Sequence, residues 1–140
     1  MRVTIVGPGR LGRSLHHWLE QARVQVALAG RGDPVPDADV VLLCVPDRAL
    51  AQVASALPTG PVLLHCSGAA ELDVLRPHTR VGSLHPLMTF PGPEVALPDP
   101  STVPAAVAGT DEARQVATEL AHLLGFHPFE VPGDRRLYHA

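Results

Sequence analysis

The 140-residue chain contains no lysine and no asparagine, and all eleven of its basic residues are arginine. Without lysine it can form no Schiff base and offers no amine as a general base. It has only two cysteines, Cys44 and Cys66. Both fall in apolar, strand-like runs where a thiol behaves as a small hydrophobe, so no disulfide framework is expected. No apolar run reaches the length of about 18 residues that a transmembrane helix needs, and the N-terminus enters a strand pattern directly, without a basic segment and signal core. The expected location is the cytoplasm. A net charge of -3 gives no electrostatic reason to expect nucleic acid or an anionic membrane as a partner. Eight histidines are present, but none forms an H-x-x-x-H or Cys/His ligand spacing, so no metal site is expected. His16, His17, His78, His122 and His127 fall on or near predicted helices or a strand start, where ordinary structural roles suffice.

The chain is the length of one domain, with apolar content of 46% and charged content of 18%, as in ordinary globular proteins. Apolar runs alternate with helix-like segments throughout. This pattern predicts an α/β fold, a doubly wound, mostly parallel sheet of the Rossmann-like kind, folded as a single three-layer domain over residues 1–140. Predicted strands cover Arg2 to Val6, Val24 to Ala29, Val40 to Val45, Val62 to Cys66, Arg80 to Leu84, Ala105 to Ala108 and Pro128 to Val131. Predicted helices cover Arg10 to Ala22, Arg48 to Leu57 with Asp47 as N-cap, Glu71 to Leu75, and Asp111 to Leu124 with Gly125 closing it. The Pro- and Asp-rich piece Asp33 to Asp39 replaces a full crossover helix. Pro91 to Pro104 carries five prolines and reads as an extended loop at the ligand side of the sheet.

The first strand runs into Gly7-Pro8-Gly9-Arg10-Leu11-Gly12, a G-x-G-x-x-G that opens a helix. Gly7 permits the tight turn, Gly9 lets backbone approach a pyrophosphate, and Gly12 allows close packing of helix on sheet. A unit that holds NAD carries an acidic residue at the end of its second strand. Here Gly30-Arg31 stands in that place, and a guanidinium can pair with a 2′-phosphate, so NADP is favoured; Asp33 nearby keeps NAD open. The ligand is expected across the carboxyl ends of the strands, at the switch between strands one and four. That placement puts Val45-Pro46-Asp47 beside the nicotinamide ribose, Ser67 and Gly68 at the nicotinamide, and His85 facing the reacting group. His65, Ser67 and His85 are the candidate catalytic residues: an imidazole to relay a proton and a hydroxyl to orient a small-molecule substrate. The competing reading is a nucleotide-binding sensor that performs no chemistry.

Together with Val45-Pro46-Asp47, His65-Cys66-Ser67-Gly68, Ser83-Leu84-His85-Pro86-Leu87 and the closing Tyr138-His139-Ala140, the glycine turn resembles Rossmann-like oxidoreductases that carry a C-terminal helical domain of unknown function. These are similar to the wider 6-phosphogluconate-dehydrogenase-like superfamily, which includes pyrroline-carboxylate reductase and prephenate dehydrogenase. The resemblance covers the whole chain and implies an NADP-linked oxidoreductase acting on a small carbonyl, imine or hydroxy compound. His85-Pro86 followed by Leu87-Met88 is similar to the His-Pro-Met stretch of prephenate dehydrogenases, whose His contacts the substrate hydroxyl. Thr89-Phe90 follows where those enzymes have glycine, which argues against prephenate itself. By the resemblance, relatives continue past Tyr138-His139-Ala140 into a helical domain that closes the substrate pocket and makes a homodimer. The chain is therefore expected to be the cofactor half of such an enzyme.

Overall fold

Among the described residues seven strands form one sheet, in the order β2-β1-β3-β4-β5-β6-β7. The computed structural model describes residues 1–30, 32–88 and 99–132. The elements are β1 (Arg2–Val6), α1 (Arg10–Gln21), β2 (Gln25–Ala29), β3 (Val40–Leu43), α2 (Leu50–Ala56), β4 (Val62–His65), β5 (Val81–Pro86), β6 (Pro104–Gly109), α3 (Asp111–Leu124) and β7 (His127–Glu130). Short 3₁₀ turns cover Asp47–Ala49, Leu72–Leu75 and Pro100–Thr102. All neighbouring strands are parallel except β5 and β6.

Side chains in a strand alternate between faces, and here the alternation sorts two cores. Val3, Ile5, Val40, Leu42, Val62 and Leu64 pack with Leu15 and Leu19 of α1 and with Ala113, Ala117 and Leu120 of α3. Val6, Val41, Leu43 and Leu63 pack on the other side with Leu50 and Ala54 of α2 and with Leu75. The result is the expected three-layer, doubly wound sheet. Leu15 and Leu19 are fully buried, each worth about 1.5–3 kcal/mol relative to exposure. Trp18 meets Phe126 edge to face at 5.5 Å, joining α1 to the chain beyond α3. α3 takes its predicted bounds: the Thr110 side chain caps its first turn, Asp111 and Glu112 suit its positive end, and Gly125 leaves it at φ 87°.

Between β2 and β3 an extended strap takes the place of a helix. The Gly30 N–H donates to the Asp33 carboxylate, the Arg2 N–H to Asp39, and the Thr4 hydroxyl to the Pro36 carbonyl. Among the described residues no strand lies outside β2, so the third strand in sequence takes the place beside β1 that the fourth holds in the six-stranded arrangement. The switch in winding direction therefore lies between β1 and β3, not between strands one and four as the sequence suggested.

Other differences are local. β3 ends at Leu43 and β4 at His65, short of the expected Val45 and Cys66. The expected helix from Arg48 begins as a 3₁₀ turn, and Ala49 precedes α2 without any side-chain cap. Glu71 to Leu75 is 3₁₀, not α-helix. β5 runs past Leu84 because β6 pairs with it antiparallel, His85 opposite Ala106. Asp99 opens the Pro100–Thr102 turn by accepting the Ser101 N–H, which holds its carboxyl below the ordinary range. The rest of the predicted proline-rich loop up to Pro98, together with Arg31 and the Tyr138-His139-Ala140 motif, lies outside the described residues. No helix among the described residues is long and apolar enough to cross a membrane.

Candidate functional site

The site begins where β1 ends. The Gly7 N–H bonds to the Ala29 carbonyl of β2, and the Cys44 N–H bonds to the Val6 carbonyl, so three strand ends meet at the turn. Gly7 sits at φ 114°, and a Cβ there would lie 2.3 Å from the Cys44 carbonyl oxygen. A Cβ on Gly12 would lie 1.9 Å from the Gly7 oxygen. Gly9 differs, since its Cβ would meet nothing within 4 Å. Gly7 and Gly12 are thus required by the fold, whereas the surface at Gly9 is open to a ligand.

Gly9 precedes α1 with no side chain to cap it, and the first turn carries no acidic residue. Arg10 and Arg13, both exposed, stand near this end instead. Cations at a helix N-terminus oppose the macrodipole, and an anion placed there would relieve the opposition. Donors, arginines and an unfilled Gly9 surface therefore fit a pyrophosphate.

Two cavities flank the turn. A cleft of about 780 Å³ lies between the strap and α2, lined by residues including Val6, Gly30, Asp33, Val35, Val53 and Ala56. A smaller one of about 240 Å³ is lined by Arg10, Leu11, Cys66, His85, Pro86 and Met88. One is the size of a nucleoside site and the other borders the predicted reacting face, so a dinucleotide stretched over the turn would reach both. A third cavity, of about 440 Å³, opens at the amino edge of the strands, remote from the turn. Its Arg80 is already engaged by Glu112 and by the Gly60 carbonyl.

The structure brings the predicted residues together around β4 and β5. Val45 lies against Gly7, its Cγ1 3.2 Å from a Cβ at that glycine, and Pro46 and Asp47 follow it. The Ser67 hydroxyl donates to Asp47 at 2.9 Å and accepts the N–H groups of Ala69 and Ala70. Ser67 thus fastens the loop after β4 to the loop after β3. His65 is fully buried, and its Nδ1 accepts the Ser67 N–H at 3.1 Å, so it acts on the turn and does not face a ligand. His85 is half-buried in the smaller cavity. Its ring lies so close over Gly68 that a Cβ there would stand 2.4 Å from Cε1 and 2.7 Å from Nδ1. Among the described residues no group of three or more His, Cys, Asp or Glu side chains could hold a metal ion.

Sequence reasoning missed Val53 and Ala56 as cleft residues, and it did not pair Cys44 with Cys66. Both could have been sought once the switch was placed at β3, because α2 follows that strand and the two cysteines occupy equivalent ends of adjacent strands.

No known family's sequence profile matches the chain, and no curated protein matches it. Similarity appears in solved structures. Protein TM1727 from Thermotoga maritima is 24% identical with a TM-score of 0.77, over 98% of this chain and 60% of that one. Prephenate dehydrogenase from A. aeolicus, solved with hydroxyphenyl propionate and NAD+, is 14% identical with a TM-score of 0.74, over 96% and 61%. Synechocystis arogenate dehydrogenase is 15% identical with a TM-score of 0.72, over 95% and 60%. The chain thus spans about three fifths of the length of each. At these identities what is shared is the fold, and the chain has the Rossmann-like α/β architecture found in dehydrogenases.

Proposed function

We propose that the chain is the dinucleotide-binding part of an oxidoreductase that uses NADP, with NAD as the alternative, on a small carbonyl, imine or hydroxy compound. The observation that carries this reading is the uncapped, acid-free first turn of α1, placed between a nucleoside-sized cleft and a small cavity that contains His85. The cofactor, when bound, supplies or accepts the hydride. Backbone N–H groups of the turn bind its phosphates, with Arg10 beside them; Gly30 lines the cleft that takes the ribose, and Arg31 is assigned to the 2′-phosphate by its place in the sequence. His85 gives a proton to, or takes it from, the substrate oxygen or nitrogen. Gly68 and the Ser67–Asp47 bond position His85 and the loop under it, with His65 supporting that loop from below. The resemblance to oxidoreductases with a helical second domain supports a longer form of the protein, in which that domain completes the substrate pocket and makes a homodimer contact.

Titration of the chain with NADPH and NADH, followed by cofactor fluorescence, tests the cofactor. NADPH should bind more tightly, and Arg31→Ala should remove the preference. Equal weak binding of both would overturn the assignment of Arg31. A dehydrogenase screen on the longer form tests the chemistry: His85→Ala should abolish turnover and leave cofactor affinity unchanged. Turnover that survives His85→Ala would remove His85 from the reaction, and a screen without any turnover would favour a sensor.

A further inference from the structure

Cys44 and Cys66 are free thiols whose sulfurs are in contact at 3.8 Å. The parallel register that pairs Leu43 with His65 continues to place Cys44 opposite Cys66, one residue past the end of each strand. Adjacent strands run about 4.8 Å apart, within the Cα separation of about 4.4–6.8 Å that a disulfide accepts. Cys66 lines the small cavity beside His85 and Arg10. Cys44 is wedged under the glycine turn: its carbonyl limits Gly7, and its Cβ would lie 3.4 Å from a Cβ on Gly12.

We propose that Cys44 and Cys66 are a redox pair, closing reversibly to a disulfide by exchange with a low-molecular-weight disulfide and thereby loosening the dinucleotide turn. Cys66, facing the cavity, attacks first as thiolate; it forms a mixed disulfide and expels one small thiolate. Cys44 then loses its proton to solvent, attacks the Cys66 sulfur and expels the second. Two protons and two electrons leave the pair, and the small disulfide becomes two thiols. The hydrogen bond with Cys66, then burial, then the charge of Cys66 hold the Cys44 thiol well above its ordinary pKa. Cys66, which lines the cavity, is therefore the attacking thiol, and Cys44, enclosed beneath the turn, the resolving one. Closure brings the sulfurs from 3.8 Å to about 2.05 Å. The Cys44 side chain is thereby drawn toward β4 and away from the helix turn that rests on it. The reduced form is the one that binds dinucleotide.

The disulfide itself stands apart from the functional reading above; the gate rests on it. The test exposes the wild-type chain to 2-hydroxyethyl disulfide. Trypsin, cutting only at arginine here and not before Pro77, should yield peptides 32–48 and 49–80 joined, with the intact mass lower by two hydrogens. NADPH should bind the oxidised chain at least tenfold more weakly, with dithiothreitol restoring affinity, Cys66→Ser insensitive to the oxidant and Cys44→Ser stopping at the mixed disulfide. A stable mixed disulfide with no cross-link overturns the proposal. A cross-link with unchanged affinity overturns the gate alone. If the reduced chain binds no dinucleotide, the gate falls with the cofactor reading, while the cross-link is still decided by mass.

Discussion

Two glycines three residues apart should fail in opposite ways when given a methyl group. At Gly12 the new Cβ would lie 1.9 Å from the Gly7 oxygen, about 1 Å inside the closest approach a Cβ tolerates, and the obstacle is backbone on both sides. α1 must then move off the sheet, carrying Leu15 and Leu19 out of sites where both are fully buried. Overpacking of this kind costs about 1–3 kcal/mol. With an m-value of about 1–3 kcal/mol per M in urea, Gly12→Ala should lower the unfolding midpoint by roughly 1 M. Gly9 has φ -78° and ψ -166°, a conformation alanine adopts without strain, and open space where the Cβ would go. Gly9→Ala should fold as well as wild type or gain about 0.4–1 kcal/mol through its less flexible unfolded state. Its methyl would stand where the pyrophosphate approaches, so dinucleotide affinity should fall at least tenfold, about 1.4 kcal/mol. Urea unfolding and NADPH titration of both variants separate the two costs. A Gly12→Ala midpoint equal to wild type would refute the close helix approach. Unchanged affinity in a well-folded Gly9→Ala would refute the location of the phosphates.

Gly68→Ala should displace the His85 ring, seen as a change in its imidazole resonances by NMR; an unmoved ring would contradict the contact. Ser67→Ala removes the acceptor of two N–H groups and the donor to Asp47, and should cost about 0.5–1.5 kcal/mol in chemical denaturation. Arg80 lowers the pKa of Glu112 below its ordinary 4.5 through their paired hydrogen bonds. The stabilisation from that depressed pKa is complete above the ordinary value and lost as pH falls through the lowered one. Thermal scans in acid should therefore show a small pH dependence that Glu112→Gln abolishes, and a variant with the same slope as wild type would remove this pair as its cause.

Much of the fold was legible because its signals are local. The β1 to α1 unit and α3 carry periodicity, caps and glycines within a single element, and their bounds were recovered almost residue for residue. The direction of β6 was not legible, since alternation tells which face a residue occupies but not which way its strand runs. The place of the switch was hidden because β2 is the edge of the sheet, which shifts the count of strands by one. Asp47 was taken for a cap because capping is a short-range habit. Its actual partner, Ser67, is twenty residues away, and only the loop geometry brings them together. The glycine turn and the nearness of His65, Ser67 and His85 could be anticipated from strand ends. Their division into a buried support, a loop fastener and a cavity-facing ring depends on which way each side chain turns, which spacing does not encode.

The strap over β1 also bears on how such a fold can diverge. A helix with its side chains is about 10–12 Å across, whereas the strap is a single extended chain, moored through Asp33, Pro36 and Asp39. The cleft beside it has Asp33, Pro34 and Val35 of the strap in its wall. Ligand volume here is therefore written in the course of one surface segment. Reshaping that segment would alter the wall of the cleft, while the bonds of Pro36 and Asp39 to β1 fix where it is tied to the sheet. Insertions and deletions between Asp33 and Asp39 are a route by which descendants of this chain could change what they hold while keeping how they fold.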